Sequence, residues 1–158
     1  MQNRRTPARH PRRTLAKGAT LIEILVALLI LSLGLLGMAG LQARAVKGNH
    51  SAMQRTQAVM MSYYILDTMR VDRANAKAGN YNRGKSCSAA SFSGTNLPDR
   101  NLKHWIESLQ TNLGTLGDTT ICGELSCDAD GLCLVKVSWD DSRAGGLGVQ
   151  TLETRTKL

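Results

Sequence analysis

The sequence predicts an α+β fold, one long N-terminal helix packed on a small antiparallel sheet, and three features carry that expectation. The run from Ile24 to Leu41 holds 18 residues without a charge or a proline. Helical spacing of apolar residues then continues to about Ala78, and from Thr119 the period shortens to that of strands. A helix over residues 19–41 would be about 34 Å long at about 1.5 Å per residue, enough to cross a hydrocarbon layer of about 30 Å. The run therefore reads as a membrane-spanning helix.

Glu23 stands one turn inside this apolar segment. An acid near the bilayer centre costs on the order of 3 kcal/mol, so a carboxylate here calls for a partner, unless it lies at the interface or the helix begins a turn later. Ahead of Gly18 are six basic side chains (Arg4, Arg5, Arg9, Arg12, Arg13, Lys17) and no acid. Such a leader stays on the cytoplasmic side.

Lys17-Gly18-Ala19-Thr20-Leu21-Ile22-Glu23 resembles the processing site of type IV prepilins. The resemblance implies cleavage after Gly18 by a membrane aspartyl peptidase and methylation of the new amine on Ala19. It further implies that Glu23 neutralises the N-terminal amine of a neighbouring subunit during assembly. The physics agrees, because an amine and a carboxylate that are each costly in lipid become tolerable when two helices dock in staggered register. A secretory signal peptide cut after Ala43-Arg44-Ala45 is the rival reading. Against it stand the length of the apolar run, beyond the usual 7 to 15 or so residues, and the acid at its head.

Cleavage after Gly18 would leave 140 residues, enough for one domain beyond the helix. The whole chain carries 20 basic and 12 acidic residues. Loss of the leader leaves 14 against 12, so the high pI is mostly an address and not a sign of nucleic-acid binding.

Past Leu41 the helix is expected to continue, from about Ala19 to about Ala78 in all, with Val59, Tyr63, Leu66 and Met69 on an apolar stripe and Gly79-Asn80 as the C-cap. The heptad is too short and irregular for a coiled coil, so the stripe should cover the chain's own head. Gly34, Gly37, Gly40 and Gly48 each cost up to about 1 kcal/mol in a helix interior. Close helix packing in lipid and local unwinding are the two readings.

Residues 80–99 are turn-rich, a loop with room for one short strand. Leu97-Pro98-Asp99 opens a second helix whose Leu102, Trp105, Ile106, Leu109 and Leu113 share a face and which Gly114 ends. Beside that face His104 reads as a surface or packing residue. Thr119–Cys122, Leu132–Trp139 and Val149–Arg155 are the expected strands, with residues 140–146 as the turn between the last two. This tail extends the resemblance to minor pilins of the PilV type, through the run Leu33 to Gln42, the Met69-Arg70 pair, the tryptophan helix and Val135-Lys136-Val137-Ser138-Trp139.

Cys87, Cys122, Cys127 and Cys133 all lie in the part expected outside the membrane, where an even count suggests two disulfides. Three pairings are possible, and the turn Asp128-Ala129-Asp130-Gly131 favours Cys127 with Cys133, leaving Cys87 with Cys122. No C-x2-C pair supports zinc, and Asp128-x-Asp130-Gly131 is only part of a calcium loop, so no cofactor or metal is expected. Nucleophile elbow, zinc-protease helix and phosphate loop are all missing from the sequence, which argues against an enzyme.

The sequence thus divides into a leader (1–18), a transmembrane and assembly helix (19–41), an amphipathic helical half (42–78) and a globular periplasmic head (79–158). By resemblance the chain would be an inner-membrane protein with a cytoplasmic leader that later enters a type IV pilus as a minor, tip-associated pilin. Implied partners are other minor and major pilins, the prepilin peptidase and N-methyltransferase, the assembly platform, membrane lipid and a tip adhesin. A minor pseudopilin of a type II secretion system is the alternative. A DNA-binding pilin would need a basic stripe from Arg83, Lys85, Lys136, Arg143, Arg155 and Lys157, which Asp140, Asp141 and Glu153 oppose.

Overall fold

Helix α1 runs Leu21–Val71, and the short α2, Arg73–Lys77, follows it in a computed structural model that describes residues 18–142, 145–146 and 148–158. The leader before Gly18 and Arg143 lie outside the described residues. The chain forms two compact units, one ending at Leu41 and one spanning Gln42–Leu158.

The expected single helix to Ala78 is broken at Asp72, whose φ of −109° and ψ of 46° leave the helical region. The Asp72 carboxylate accepts from Asn75 Nδ2 at 2.8 Å and from the Tyr81 hydroxyl at 3.0 Å. A short polar side chain that bonds nearby groups in this way competes with helix propagation. Helix α2 then ends as expected: Gly79, at φ 77°, donates its N–H to Ala76 O, and Asn80 N–H reaches Asn75 O. These two bonds are the Schellman pattern, and the left-handed backbone they need suits glycine.

The loop contains β1, Arg83–Ser86, and one 3-10 turn at Ala89–Ser91. Helix α3, Leu97–Leu113, begins at Asn96, whose side chain accepts from Asp99 N–H at 2.8 Å, and ends at Gly114. The strand expected at Thr119–Cys122 instead starts at Cys122, as β2, Cys122–Cys127. Asp118 Oδ1 holds Thr120 N–H at 2.9 Å and Thr120 Oγ1 at 2.7 Å, which ties residues 118–120 into a side-chain-closed turn and delays the strand. Strands β3, Leu132–Asp140, and β4, Val149–Lys157, complete a four-stranded antiparallel sheet in the order β1-β2-β3-β4.

The core draws on the helices and on β2 and β3, with Leu152 of β4 packed against it. Ile65, Leu66 and Met69 of α1 meet Leu102, Trp105, Ile106 and Leu109 of α3 and Leu125, Val135, Val137 and Trp139 of the sheet. The buried face of α1 is Gln54, Ala58, Ser62, Ile65, Leu66 and Met69. This corrects the expected stripe, because Val59 is only half-buried and Tyr63 is exposed. Trp105 Nε1–H donates to the Met61 carbonyl at 2.9 Å, a bond that joins α3 to α1.

Both disulfides pair as the turn argument favoured. Cys127 and Cys133 are cross-strand partners in the β2–β3 register and are bonded, and Cys87 is bonded to Cys122. Between the first pair, Gly131 closes a turn on Asp128 O and Asp128 Oδ1 accepts from Leu132 N–H at 2.8 Å. The aspartate thus serves the hairpin. Each disulfide contributes about 2–4 kcal/mol in a domain of this size.

Two positions give testable consequences. A Cβ on Gly123 would lie 2.5 Å and 2.6 Å from the Trp105 ring and 2.9 Å from Ile106. Gly123→Ala should therefore destabilise the fold by about 1–3 kcal/mol through overpacking, read by denaturant unfolding of the detergent-solubilised chain. Burial pushes the Tyr81 hydroxyl up to about 12; Asn101 donating to it works the other way, and Asp72 raises it further. An acid with a raised folded value keeps its stabilisation below its ordinary value, near 10, and loses it as pH climbs toward the folded one. Melting temperature should fall more steeply above pH ~10 in the native protein than in Tyr81→Phe.

Candidate functional site

Gly18 and Ala19 precede the helix in non-helical backbone, and Thr20 caps it. The Thr20 carbonyl accepts from Glu23 N–H at 3.1 Å and Ile24 N–H at 3.3 Å, and its Oγ1 accepts from Glu23 N–H at 3.4 Å. Thr20-x-x-Glu23 is thus a capping arrangement, with an acid in the first turn where the helix dipole favours it. Sequence reasoning missed this second use of Glu23, although the Thr-x-x-Glu spacing signals it.

Glu23 is exposed in the isolated chain and has no ion-pair partner among the described residues. The helix N-terminus supplies partial positive charge, not a counter-ion. From Leu21 to Leu41 the helix is exposed throughout, with Ile22, Ile24, Leu25, Leu28 and Leu29 among its uncovered side chains. It is apolar and long enough to cross a membrane by length and composition. A Cβ at Gly18, Gly34, Gly37, Gly40 or Gly48 would meet nothing within 4 Å. The folded chain itself does not require glycine at these positions, so a requirement for glycine there would arise outside it.

A second surface belongs to α1 within the Gln42–Leu158 unit. Val46, Met53, Met60, Tyr64 and Val71 are all exposed. Their spacings of seven, seven, four and seven place them on one stripe of the helix. That stripe lies on the side opposite Ala58, Ser62, Ile65 and Met69. These side chains form an aligned, uncovered apolar row on a helix that already buries its other face. Sequence reasoning took the helical period here as one stripe, whereas the helix has two. Tyr64 also bonds His104 Nδ1 at 3.1 Å, which gives that histidine a packing partner.

The charged residues weighed for a basic stripe are largely engaged with acids. Arg83 pairs with Asp99 at 2.7 Å, Lys136 bridges Glu124 and Glu153 at 3.4 and 3.6 Å, and Arg155 reaches Glu153 at 3.9 Å. Glu153 opposes as expected, and Asp99 and Glu124 join it. Asp140, the last residue of β3, accepts from Ser142 N–H through Oδ1, and Asp141 Oδ2 accepts from Ser51 Oγ.

Comparison with known proteins places the first of these regions. A family model described as the prokaryotic N-terminal methylation motif matches residues 13–39. No curated protein and no solved structure matches the chain. The motif implies processing by a prepilin peptidase and assembly with other pilins, and with the one apolar N-terminal helix it fits a single-pass inner-membrane protein. Residues 13–39 thus carry a prepilin class III signal, and with a long leading helix on an antiparallel sheet the chain is consistent with the type IV pilin superfamily.

Proposed function

We propose that the chain is a minor pilin that is cut between Gly18 and Ala19, methylated on Ala19, and incorporated near the tip of a type IV pilus, where it helps to initiate the filament and serves adhesion or twitching. The observation that carries this reading is Glu23, a carboxylate on an apolar helix with no cation of its own chain beside it. A neighbouring subunit's N-terminal amine supplies the missing charge, and pairing removes much of the cost that each group bears alone in lipid.

The exposed stripe from Val46 to Val71 supports the same reading. It offers a second apolar helix face to a neighbouring subunit, beyond the membrane-spanning run. In this reading the head lies in the periplasm, where the two disulfides are formed. Its role is structural and not enzymatic, and it needs no metal, cofactor or nucleic acid. The paired state of Arg83, Lys136 and Arg155 favours a mixed, solvated surface over a basic stripe. A type II secretion pseudopilin would share the leader and the long helix, and loss of piliation against loss of protein export in a deletion strain separates the two.

The mature protein from cells should begin at methylated Ala19, read by intact mass and N-terminal sequencing; a start near Val46 would remove the proposal. Glu23→Ala should leave processing largely intact yet reduce the amount recovered in sheared filaments by tenfold or more, taking on the order of 1.4 kcal/mol per factor of ten. Met60→Glu should fold with native stability, since its side chain is exposed, and still lower incorporation by disturbing the outer stripe. Normal incorporation of Met60→Glu would show that the stripe has no part in assembly.

A further inference from the structure

Between Glu23 and Asp67 the sequence contains no acid, and its cations in that stretch are Arg44, Lys47 and Arg55. Arg44 and Lys47 are three residues apart and share a helix face. Both are exposed, and neither has an ion-pair partner among the described residues. Gly48 and Ser51 lie with them on one side of a cleft of about 320 Å³, and Gly145 and Gly146 of the β3–β4 loop lie on the other.

Gly145 and Gly146 border that cleft without side chains. Gly145 has φ 85°, and a Cβ there would come 3.0 Å from Lys47 Cδ, so the lysine stem lies along the glycine turn. A Cβ on Gly146 would fall 2.0 Å from Asp141 Oδ2. Asp141 itself is only 4% exposed and accepts from Ser51 Oγ at 2.5 Å. The acid is folded beneath the glycines and bound to the helix, while the two cations line the opening.

Their place in the sequence says what comes to them. Arg44 and Lys47 follow the end of the uncharged run at Leu41 by three and six residues, which along α1 is about 4.5 and 9 Å. The polar zone on each side of a hydrocarbon core is roughly 5–8 Å deep. Arg44 at that height sits level with lipid phosphates, and Lys47 stands at the outer edge of the polar zone, within a long side chain's length of them.

We propose that Arg44 and Lys47, against the Gly145–Gly146 turn, form a binding site for the phosphate of an anionic phospholipid headgroup in the outer leaflet of the membrane that the apolar helix spans. The proposal rests on the membrane-anchor reading of that helix. It assigns these two cations a role before assembly: they hold the subunit's head at the membrane surface, and leaving the bilayer requires giving up that contact.

The test uses the mature chain from Ala19, without the six cations of the leader, in nanodiscs of equal phosphatidylcholine and phosphatidylglycerol, with lipids retained on the protein counted by native mass spectrometry. The wild-type chain should retain phosphatidylglycerol over phosphatidylcholine on the order of tenfold at low salt. The Arg44→Gln/Lys47→Gln variant should fall to parity, and Arg55→Gln, outside the cleft, should keep the preference. Parity in the wild type, a preference that survives the double variant, or an equal loss in Arg55→Gln would each overturn the site. Displacement of phosphatidylglycerol by excess inorganic phosphate would assign the cleft to free anions and overturn the lipid source. Entry into pure phosphatidylcholine nanodiscs reads the anchor alone. A chain that fails to enter overturns the membrane reading and the site with it, whereas a chain that enters and shows parity overturns only the headgroup site.

Discussion

Glu23 stands at the head of an uncharged helix, where its own chain offers only a helix N-terminus in return. Thr20 caps the helix and the dipole favours an acid in the first turn, which together make the position tolerable without neutralising it. Everything else in the N-terminal unit is compatible with one answer, a cation brought by another molecule. The uncharged surface from Ile24 to Leu41 lets helices lie side by side, and Gly34, Gly37 and Gly40 within it relieve no contact in the chain. A monomer has no use for this combination, whereas an assembly does.

The second unit solves a different problem, the support of a small head that has little aromatic material. One phenylalanine and two tryptophans cannot fill a large core. The chain compensates with two disulfides, with Trp105 bonded to a helix backbone carbonyl, and with polar side chains that are buried and used. Gln110 shows the last device: its Nε2 donates to Cys87 O and Asp118 O, and its Oε1 accepts from Gly117 N–H. One residue thereby bonds three backbone groups, which offsets its desolvation and ties the two loops beside α3. The Asp72–Tyr81–Asn101 chain does the same at the other end, joining the break after α1 to α3.

Helix α1 serves both units by changing what its faces mean along its length. Before Leu41 every face is apolar and exposed. After it, one face carries small residues and then Ile65, Leu66 and Met69 into the core, and the opposite face carries Val46, Met53, Met60, Tyr64 and Val71 outward. Between these regimes the only charges are basic. That ordering suits a subunit that meets lipid first and neighbouring helices afterwards.

Much of this was legible in the residues themselves. An uncharged run is unambiguous because a bilayer tolerates so little else. Glycine at 79 and 114, proline at 98 and the alternation through Val135 and Val137 act through local backbone geometry, so they marked their elements without any knowledge of the fold. Tertiary packing decided what local rules cannot express. Asp72 breaks the helix because Tyr81, nine residues on, presents a hydroxyl to it, and β2 begins at Cys122 because Asp118 first closes a turn. Periodicity located α1's apolar residues but could not say which stripe meets the sheet. Tyr63 was placed inward by its hydrophobicity, yet the buried face runs through Ala58, Ser62, Ile65, Leu66 and Met69, because the position of α3 and the sheet, and not side-chain hydrophobicity, sets which side of the helix is covered.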